Sequence, residues 1–174
     1  MSVASVAIDA DKVAAVKAAI SAKPDGVLDT IAEECGVSYR TTLDCLEGDA
    51  AVAIPLAEFE TLWADMTGWG PIMFIVHTRD GVFETDGQLP PGSFGRGYFN
   101  IHGESPIGGH IKMDRCAAIY FVDRPFFGRR SCSVQFINGG GAAMFKVFVG
   151  RDEKRELKGD QVERFEALRT QLRG

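Results

Sequence analysis

Three histidines are the side chains of this 174-residue sequence best suited to binding a metal or moving a proton. His77 lies within the apolar segment PIMFIVHT, and the two-residue period of a β-strand places it on one face with Met73 and Ile75. An imidazole on an apolar strand face either completes a hydrogen bond in the core or is held toward a ligand. The segment by itself leaves both interpretations open.

The other two histidines lie eight positions apart in the segment NIHGESPIGGHIKMD. His110 begins a predicted strand directly after two glycines, which leave space beside its ring. That space suits a flat ligand, and it equally suits a tight turn. His102 lies at the start of a polar loop, where nothing indicates a special role.

Catalytic alternatives to the histidines are few. The sequence contains no GxSxG, no HExxH and no P-loop. The three consecutive glycines at 139–141 join two predicted strands with no helix behind them, so they indicate a turn and not a phosphate site. The carboxylates are scattered and form no recognisable acid–base pair.

Four cysteines, at positions 35, 45, 116 and 132, have the spacing of neither a zinc site nor a small disulfide scaffold. They predict buried free thiols in a reducing compartment. The N-terminus shows no basic segment followed by an apolar one, and no apolar run approaches the roughly 18 residues of a membrane span. These features predict a cytoplasmic protein.

The first 66 residues have the pattern of helices. The alanine-rich segment 9–22 has apolar residues at helical spacing and an aspartate to begin it. Two short helices are predicted on either side of Gly36, and the segment 55–66 begins with a helix-compatible proline. This part is also acidic, because residues 1–60 carry eleven Asp and Glu against four Lys and Arg.

From residue 67 onward the pattern changes to short strands joined by short connections. We predict strands at 71–78, 82–85, 97–102, 109–114, 116–122, 131–137 and 142–149, a loop at 86–95 and a final helix at 159–172. With no helices between the strands, an antiparallel sheet is favoured. The chain is therefore predicted to be one α+β domain, with a helical part at 1–66 and a sheet with a C-terminal helix at 67–174. Several strands are apolar on both faces, so helices, a partner subunit or a ligand must cover them.

One segment, LDTIAEECGVSYRTTLDCL, has the outline of a helix-turn-helix. Affinity for DNA is largely electrostatic, and the second helix offers Arg40 as its only cation beside Asp44 and Glu47. A helical hairpin packed on a sheet produces the same pattern, and the charge favours that structural use over a DNA-binding regulator.

Several longer strings together resemble the cytosolic haem-utilisation proteins of the HutX/ChuX/ShuX type. They are IMFIVHTRDGVFETDGQLPPG, GYFN, GGHI, RPFFGRRSCSVQF and AAMFKVFVGRDEKREL, and the resemblance runs from about Val27 to the C-terminus. One departure is RPFFG, where Met is expected in place of the second Phe, a swap of similar volume. The resemblance implies a helical N-terminal part, a large antiparallel saddle-like sheet and a homodimer similar to the two-repeat HemS/ChuS proteins.

The resemblance also implies haem as the ligand, with His77 and His110 as candidates to bind its iron. A porphyrin is an apolar plate with two propionates, so it needs apolar walls and cations. We predict walls from Met73, Ile75, Phe99 and Phe121, and propionate contacts from Lys112, Arg115 and Arg129.

The function implied is that of a carrier or store of haem during haem uptake and iron use, which passes it to an enzyme. A haem-degrading enzyme like the two-repeat proteins is the alternative, and disappearance of the haem spectrum with an electron donor distinguishes the two.

Overall fold

The computed structural model describes residues 9–174. Its helices are α1 (Ala10–Ala22), α2 (Leu28–Cys35), α3 (Tyr39–Asp44), α4 (Phe59–Met66) and α5 (Gly159–Leu172). Its strands are β1 (Ala51–Ile54), β2 (Pro71–Thr78), β3 (Gly81–Gln88), β4 (Gly92–Gly95), β5 (Tyr98–Ile101), β6 (Gly109–Ile111), β7 (Cys116–Phe126), β8 (Arg129–Asn138) and β9 (Ala143–Phe148). The α+β class predicted from the sequence is confirmed.

The strands form two antiparallel sheets and not one. The larger has the order β1-β7-β8-β9-β2-β3, and the smaller has the order β4-β5-β6. Residues paired directly across neighbouring strands point to the same face. The register therefore assigns every side chain of the large sheet to one of two faces.

The three N-terminal helices pack on one face of the large sheet, at its β1–β7–β8 side. Val16, Leu28, Ile31 and Leu43 meet Tyr120 and other side chains of β7 and β8 there. These helices leave the β2–β3 side of the same face uncovered. A cleft runs along this face from the uncovered part toward the β7–β8 hairpin.

The opposite face carries the main hydrophobic core. Ile119, Phe121, Val134, Phe136, Phe145 and Val147 of the sheet pack there with α4, α5 and the inner side of the small sheet. Phe99 joins the small sheet to this core, with its ring 4.8 Å from Phe59 and 5.1 Å from Trp63. The layers of the molecule are, in order, the three N-terminal helices with the cleft beside them, the large sheet, the core with α4 and α5, and the small sheet.

Some element boundaries differ from the sequence prediction. The 1–66 part is not purely helical, because Ala51–Ile54 forms edge strand β1 against β7, with alternate residues Val52 and Ile54 buried. The predicted loop 86–95 holds the end of β3 and the whole of β4. The strand predicted at 109–114 ends at Ile111, and a short 3₁₀ turn follows. Tertiary pairing decides such short segments more than their own sequence does.

The helix-turn-helix outline proves to be a helical hairpin packed on the sheet. Gly36 ends α2 in the left-handed conformation, and the Ser38 hydroxyl caps α3 by accepting from the Thr41 N–H. The α3 residues Tyr39 and Leu43 are buried. The helix that a DNA-binding protein would present to the groove has its apolar face turned onto the protein.

Three of the four cysteines are buried and the fourth, Cys35, is half-buried, and all four are free thiols. Burial raises the pKa of the Cys132 thiol to about 12. The prediction of buried free thiols is therefore confirmed for three of the four. Separately, none of the helices in residues 9–174 is long and apolar enough to cross a bilayer.

Candidate functional site

A cleft of about 1100 Å³ lies on the large sheet beside the N-terminal helices. Its floor consists of rows of side chains paired across the strands. One row is Tyr120, Gln135, Lys146, Ile75 and Glu84, and the next is Val122, Ser133, Phe148, Met73 and Asp86. The first row ends under α3, and both rows end at edge strand β3.

His77 lies on this floor, on one face with Met73 and Ile75 as the strand period predicted. Its Nδ1 is 3.4 Å from Oδ1 of Asp29, which belongs to α2. The other carboxylate oxygen of Asp29 accepts a hydrogen bond from Lys146 Nζ at 3.3 Å. Asp29 thus sits between the imidazole and a buried ammonium group. No side chain or backbone group of residues 9–174 forms a hydrogen bond with His77 Nε2.

Lys146 is the buried cation at the centre of the floor. Its side chain is 7% exposed, and its Nζ lies 4.2 Å from the centroid of the Tyr39 ring. Burial opposes its charge, but Tyr39 and Asp29 outweigh this and raise the pKa of Lys146. Burial also raises the pKa of Tyr39, whose hydroxyl donates to Gln135 Oε1 at 2.8 Å. At neutral pH the centre of the cleft therefore holds an ammonium–carboxylate pair beside a neutral phenol.

Arginines surround the end of the cleft near the β7–β8 hairpin. They are Arg124, Arg129, Arg151 and Arg155, and the exposed aromatic side chains Phe126 and Phe127 lie beside them. Ile75 pairs through Lys146 and Gln135 with Tyr120, which is three strands away. His77 lies two residues beyond Ile75, and Arg124 lies four residues beyond Tyr120 in the opposite direction. The two side chains are therefore three strands and six residues apart. On a flat sheet that offset is roughly 24 Å between Cα atoms. The cleft thus has an imidazole end and an arginine end.

His110 lies elsewhere, on the outer face of the small sheet. It pairs with Asn100 across β5 and β6, and its Nδ1 is 2.7 Å from Asn100 Oδ1. The side chains of β5 that face inward, such as Phe99, belong to the core on the other side of the large sheet from the cleft. His77 and His110 of one chain are therefore separated by the sheet and the core, and they cannot bind one iron together.

The remaining predicted site residues divide between these two places. Met73, Ile75 and Arg129 line the cleft with His77. Lys112 lies near His110, with its Nζ 4.6 Å from the centroid of the Tyr98 ring, while Arg115 belongs to a separate shallow surface by Asn138.

The expectation of Phe99 and Phe121 as walls of the site was wrong. Both are buried in the main core, 2% and 0% exposed, on the face opposite the cleft. Phe121 alternates with Tyr120 and Val122 along β7, and the period of two turns it away from the cleft. His102 is exposed, and its Nε2 is 3.5 Å from the Ser93 hydroxyl.

Sequence reasoning missed Asp29, Lys146 and Arg124. A signal existed for Lys146, which interrupts an apolar strand between buried Phe145 and Val147. Arg124 carried no such signal, because its neighbours Asp123 and Pro125 are not part of a buried apolar run. No local signal marks Asp29, which lies on an ordinary amphipathic helix. In residues 9–174, no group of three or more His, Cys, Asp or Glu side chains is arranged to hold a bare metal ion.

Comparison with known proteins identifies the family. The family model described as Haem utilisation ChuX/HutX matches residues 52–168. The chain is 32% identical to the intracellular heme transport protein HutX of Vibrio cholerae over 142 residues, which is 81% of this chain and 74% of HutX.

Solved structures agree with that match. A protein from Agrobacterium tumefaciens is 50% identical over 99% of this chain and 98% of its own, with a TM-score of 0.87. The heme binding protein ChuX is 34% identical over 90% of this chain and 98% of its own, with a TM-score of 0.82.

The fold also matches about half of a longer protein. PhuS of Pseudomonas aeruginosa, described as a heme-binding protein, has a TM-score of 0.72 and 18% identity over 96% of this chain and 49% of its own. That likeness concerns the fold alone and agrees with the expected relation to two-repeat proteins. On the family model and the identity to HutX, this chain belongs to the ChuX/HutX family of haem-utilisation proteins.

Proposed function

We propose that this protein binds haem in the cleft and carries it within the cytoplasm during haem uptake and iron use. The relatives named for haem transport and haem binding support this proposal. The single observation that carries it is the His77 imidazole, held beside Asp29 and on one face with Met73 and Ile75 in a cleft of about 1100 Å³.

The chemistry of the floor fits a porphyrin. His77 supplies a nitrogen for the iron, and Asp29 beside Nδ1 favours the tautomer that leaves Nε2 free. Met73, Ile75 and Phe148 supply apolar surface for the plate. Cations at the other end of the cleft can meet carboxylates.

Carriage requires that the haem be released. No covalent attachment is proposed, and a single imidazole bond with apolar contacts allows transfer to an acceptor enzyme. A haem-degrading activity predicts that the absorption of bound haem disappears when an electron donor and oxygen are supplied. We expect the bound haem to keep its absorption under those conditions.

We also propose that the protein is a homodimer. The open part of the sheet face and its exposed side chains Val82 and Phe127, 51% and 70% exposed, support a second chain as cover. A second chain is also the only route by which His110 can join His77 at one iron, because the two lie on opposite sides of one chain.

A haem titration of the purified apo-protein tests the proposal. We expect a saturable Soret band, and we expect it to change when His77 is replaced by alanine. Absence of saturable binding in the folded parent protein would reject haem carriage, whatever the family does.

A further inference from the structure

The arginine end of the cleft has an unusual charge balance. Among residues 9–174, the arginines of the ion pairs are Arg40, Arg130, Arg164, Arg169 and Arg173, so none of the four that line the cleft is paired with a carboxylate. Arg129 Nη1 and Arg151 Nη1 both donate to the carbonyl oxygen of Arg155, at 3.2 and 3.0 Å. Two guanidinium groups are thus held side by side by one backbone oxygen, and neither forms an ion pair with the described part of the chain.

Arg124 adds a second, independent observation. It is 8% exposed, on the cleft face of β7, and its Nη2 donates to the Pro24 carbonyl at 2.6 Å. Its Nε is buried and has no hydrogen-bond partner among the described residues. A buried donor without a partner is costly to folding, and such groups in native proteins are commonly explained by a bound water or an ion.

The carboxylates near these arginines form no ion pair with them among residues 9–174. Asp25, the acidic neighbour of Arg124, accepts from the Gly128 N–H at 2.9 Å. Asp152 Oδ1 accepts from the backbone N–H groups of Lys154 and Glu156, at 2.8 and 3.0 Å. The four arginines are therefore without a directly paired carboxylate among the described residues, and an external anion fits beside them.

The surroundings indicate what kind of anion. The Phe126 and Phe127 rings lie 4.5 Å apart beside the arginines, and Val122 and Phe148 continue the apolar surface toward the centre of the cleft. A guanidinium fork matches the two oxygens of a carboxylate.

We propose that Arg124, Arg129, Arg151 and Arg155 form a carboxylate-binding site at the end of the cleft away from His77. The carboxylates come either from a porphyrin held in the cleft or from a small dicarboxylic acid. The version of this inference in which a porphyrin supplies the carboxylates, here called the porphyrin form, rests on the proposed function. Because the Cα atoms of Arg124 and His77 are roughly 24 Å apart, a porphyrin can contact both residues only if its plate and the two side chains together span that distance. A small dicarboxylic acid has no such requirement, so the two sources need separate tests.

The first test uses porphyrins without iron, which remove His77 ligation from the measurement. Fluorescence titration compares metal-free protoporphyrin IX with its dimethyl ester, in the parent protein and in Arg129→Gln, Arg155→Gln and His77→Ala. Lys154→Gln is the matched control, because it removes one exposed charge from the same loop without lining the cleft.

We expect the diacid to bind the parent about tenfold tighter than the diester, as for charge-assisted hydrogen bonds. Each arginine variant should lose most of that difference, while His77→Ala and Lys154→Gln keep it. A difference that survives in both arginine variants overturns the porphyrin form.

The second test uses succinate alone and measures the thermal unfolding midpoint. A rise at millimolar succinate in the parent and in Lys154→Gln, but not in Arg155→Gln or Arg124→Gln, supports the site with a small acid as its source. Arg155→Gln keeps the test decisive if Arg124→Gln does not fold. Among the described residues no hydrogen bond involves the Arg155 side chain, so its replacement breaks none.

The two tests separate this inference from the proposed function. If the haem titration of the parent shows no binding, haem carriage fails and the succinate result alone decides the site. If the diacid and diester bind the parent equally and succinate has no effect, the carboxylate site is wrong even where haem binds through His77.

Discussion

Asn100 fixes the tautomer of His110. The Asn100 Nδ2 donates to the carbonyl oxygens of Ser93, Gly95 and Tyr98, at 3.3, 3.0 and 3.3 Å, so its Oδ1 must face the imidazole. His110 Nδ1 then carries the proton and donates over 2.7 Å, and Nε2 keeps its lone pair. The small sheet thus presents an exposed imidazole in the form that binds iron.

We expect His110→Ala to change the haem spectrum and to weaken binding. Asn100→Ala should reproduce part of that loss, roughly tenfold in affinity, since partners that orient a ligand histidine are worth that much. His102→Ala, on the same small sheet, is the control and should match the parent. Unchanged spectra in both folded variants would show that His110 does not ligate.

His77→Ala should shift the Soret and Q bands and weaken haem binding, because the iron loses an imidazole while the apolar contacts of Met73 and Ile75 persist. The double variant with His110→Ala should bind far more weakly than either single one. Far-UV circular dichroism checks that β2 stays folded. A folded His77→Ala protein with the parent's spectrum contradicts the proposed site.

Asp29→Asn should destabilise the protein through Lys146. The substitution leaves a buried ammonium without its carboxylate, and we expect a loss of about 2 kcal/mol in the free energy of unfolding, reduced from the fully buried case because Asp29 is 32% exposed. In a Lys146→Met background the same change should cost less than about 1 kcal/mol. Urea unfolding of the four proteins measures the coupling, and equal costs in both backgrounds would argue against it.

Asp123 should make stability fall in acid. Hydrogen bonds from Arg130, 2.9 and 2.7 Å long, hold the pKa of Asp123 below its ordinary value although partial burial opposes this. A lowered folded-state pKa gives stability that is complete above the unfolded value of about 3.9 and is lost as pH falls through the folded value.

Asp123→Asn should therefore lower the free energy of unfolding by about 1 kcal/mol at pH 7, and the difference from the parent should shrink below about pH 4. Urea unfolding at pH 7, 5 and 3 measures this. Asp114→Asn, in an exposed turn, is the control, and a difference that stays constant with pH would contradict the assignment.

A homodimer predicts a mass of about twice 18.9 kDa by multi-angle light scattering, as for a symmetric pair. Replacing Val82, which pairs with His77 on the open face and is 51% exposed, by Asp should shift the mass toward the monomer if that face is the interface. A monomer mass for the parent at tens of micromolar rejects the homodimer.

Features that depend on local pattern could be predicted from the sequence. The helix–strand order, the antiparallel class and the common face of Met73, Ile75 and His77 follow from periodicity and turn residues, which act over a few positions. The strings around His77 and His110 also indicated the family that the comparisons show.

Only the tertiary structure decided which side chains meet. Asp29 and Lys146 are 117 positions apart, and strand pairing across the whole sheet brings them together. The same pairing brings Arg124 and Arg151 to one end of the cleft. The packing of the small sheet places His110 on the far side of the core from His77. Such contacts depend on register and on which face each layer covers, and a shift of one residue would reverse the face of a whole strand, so no local pattern could reveal them.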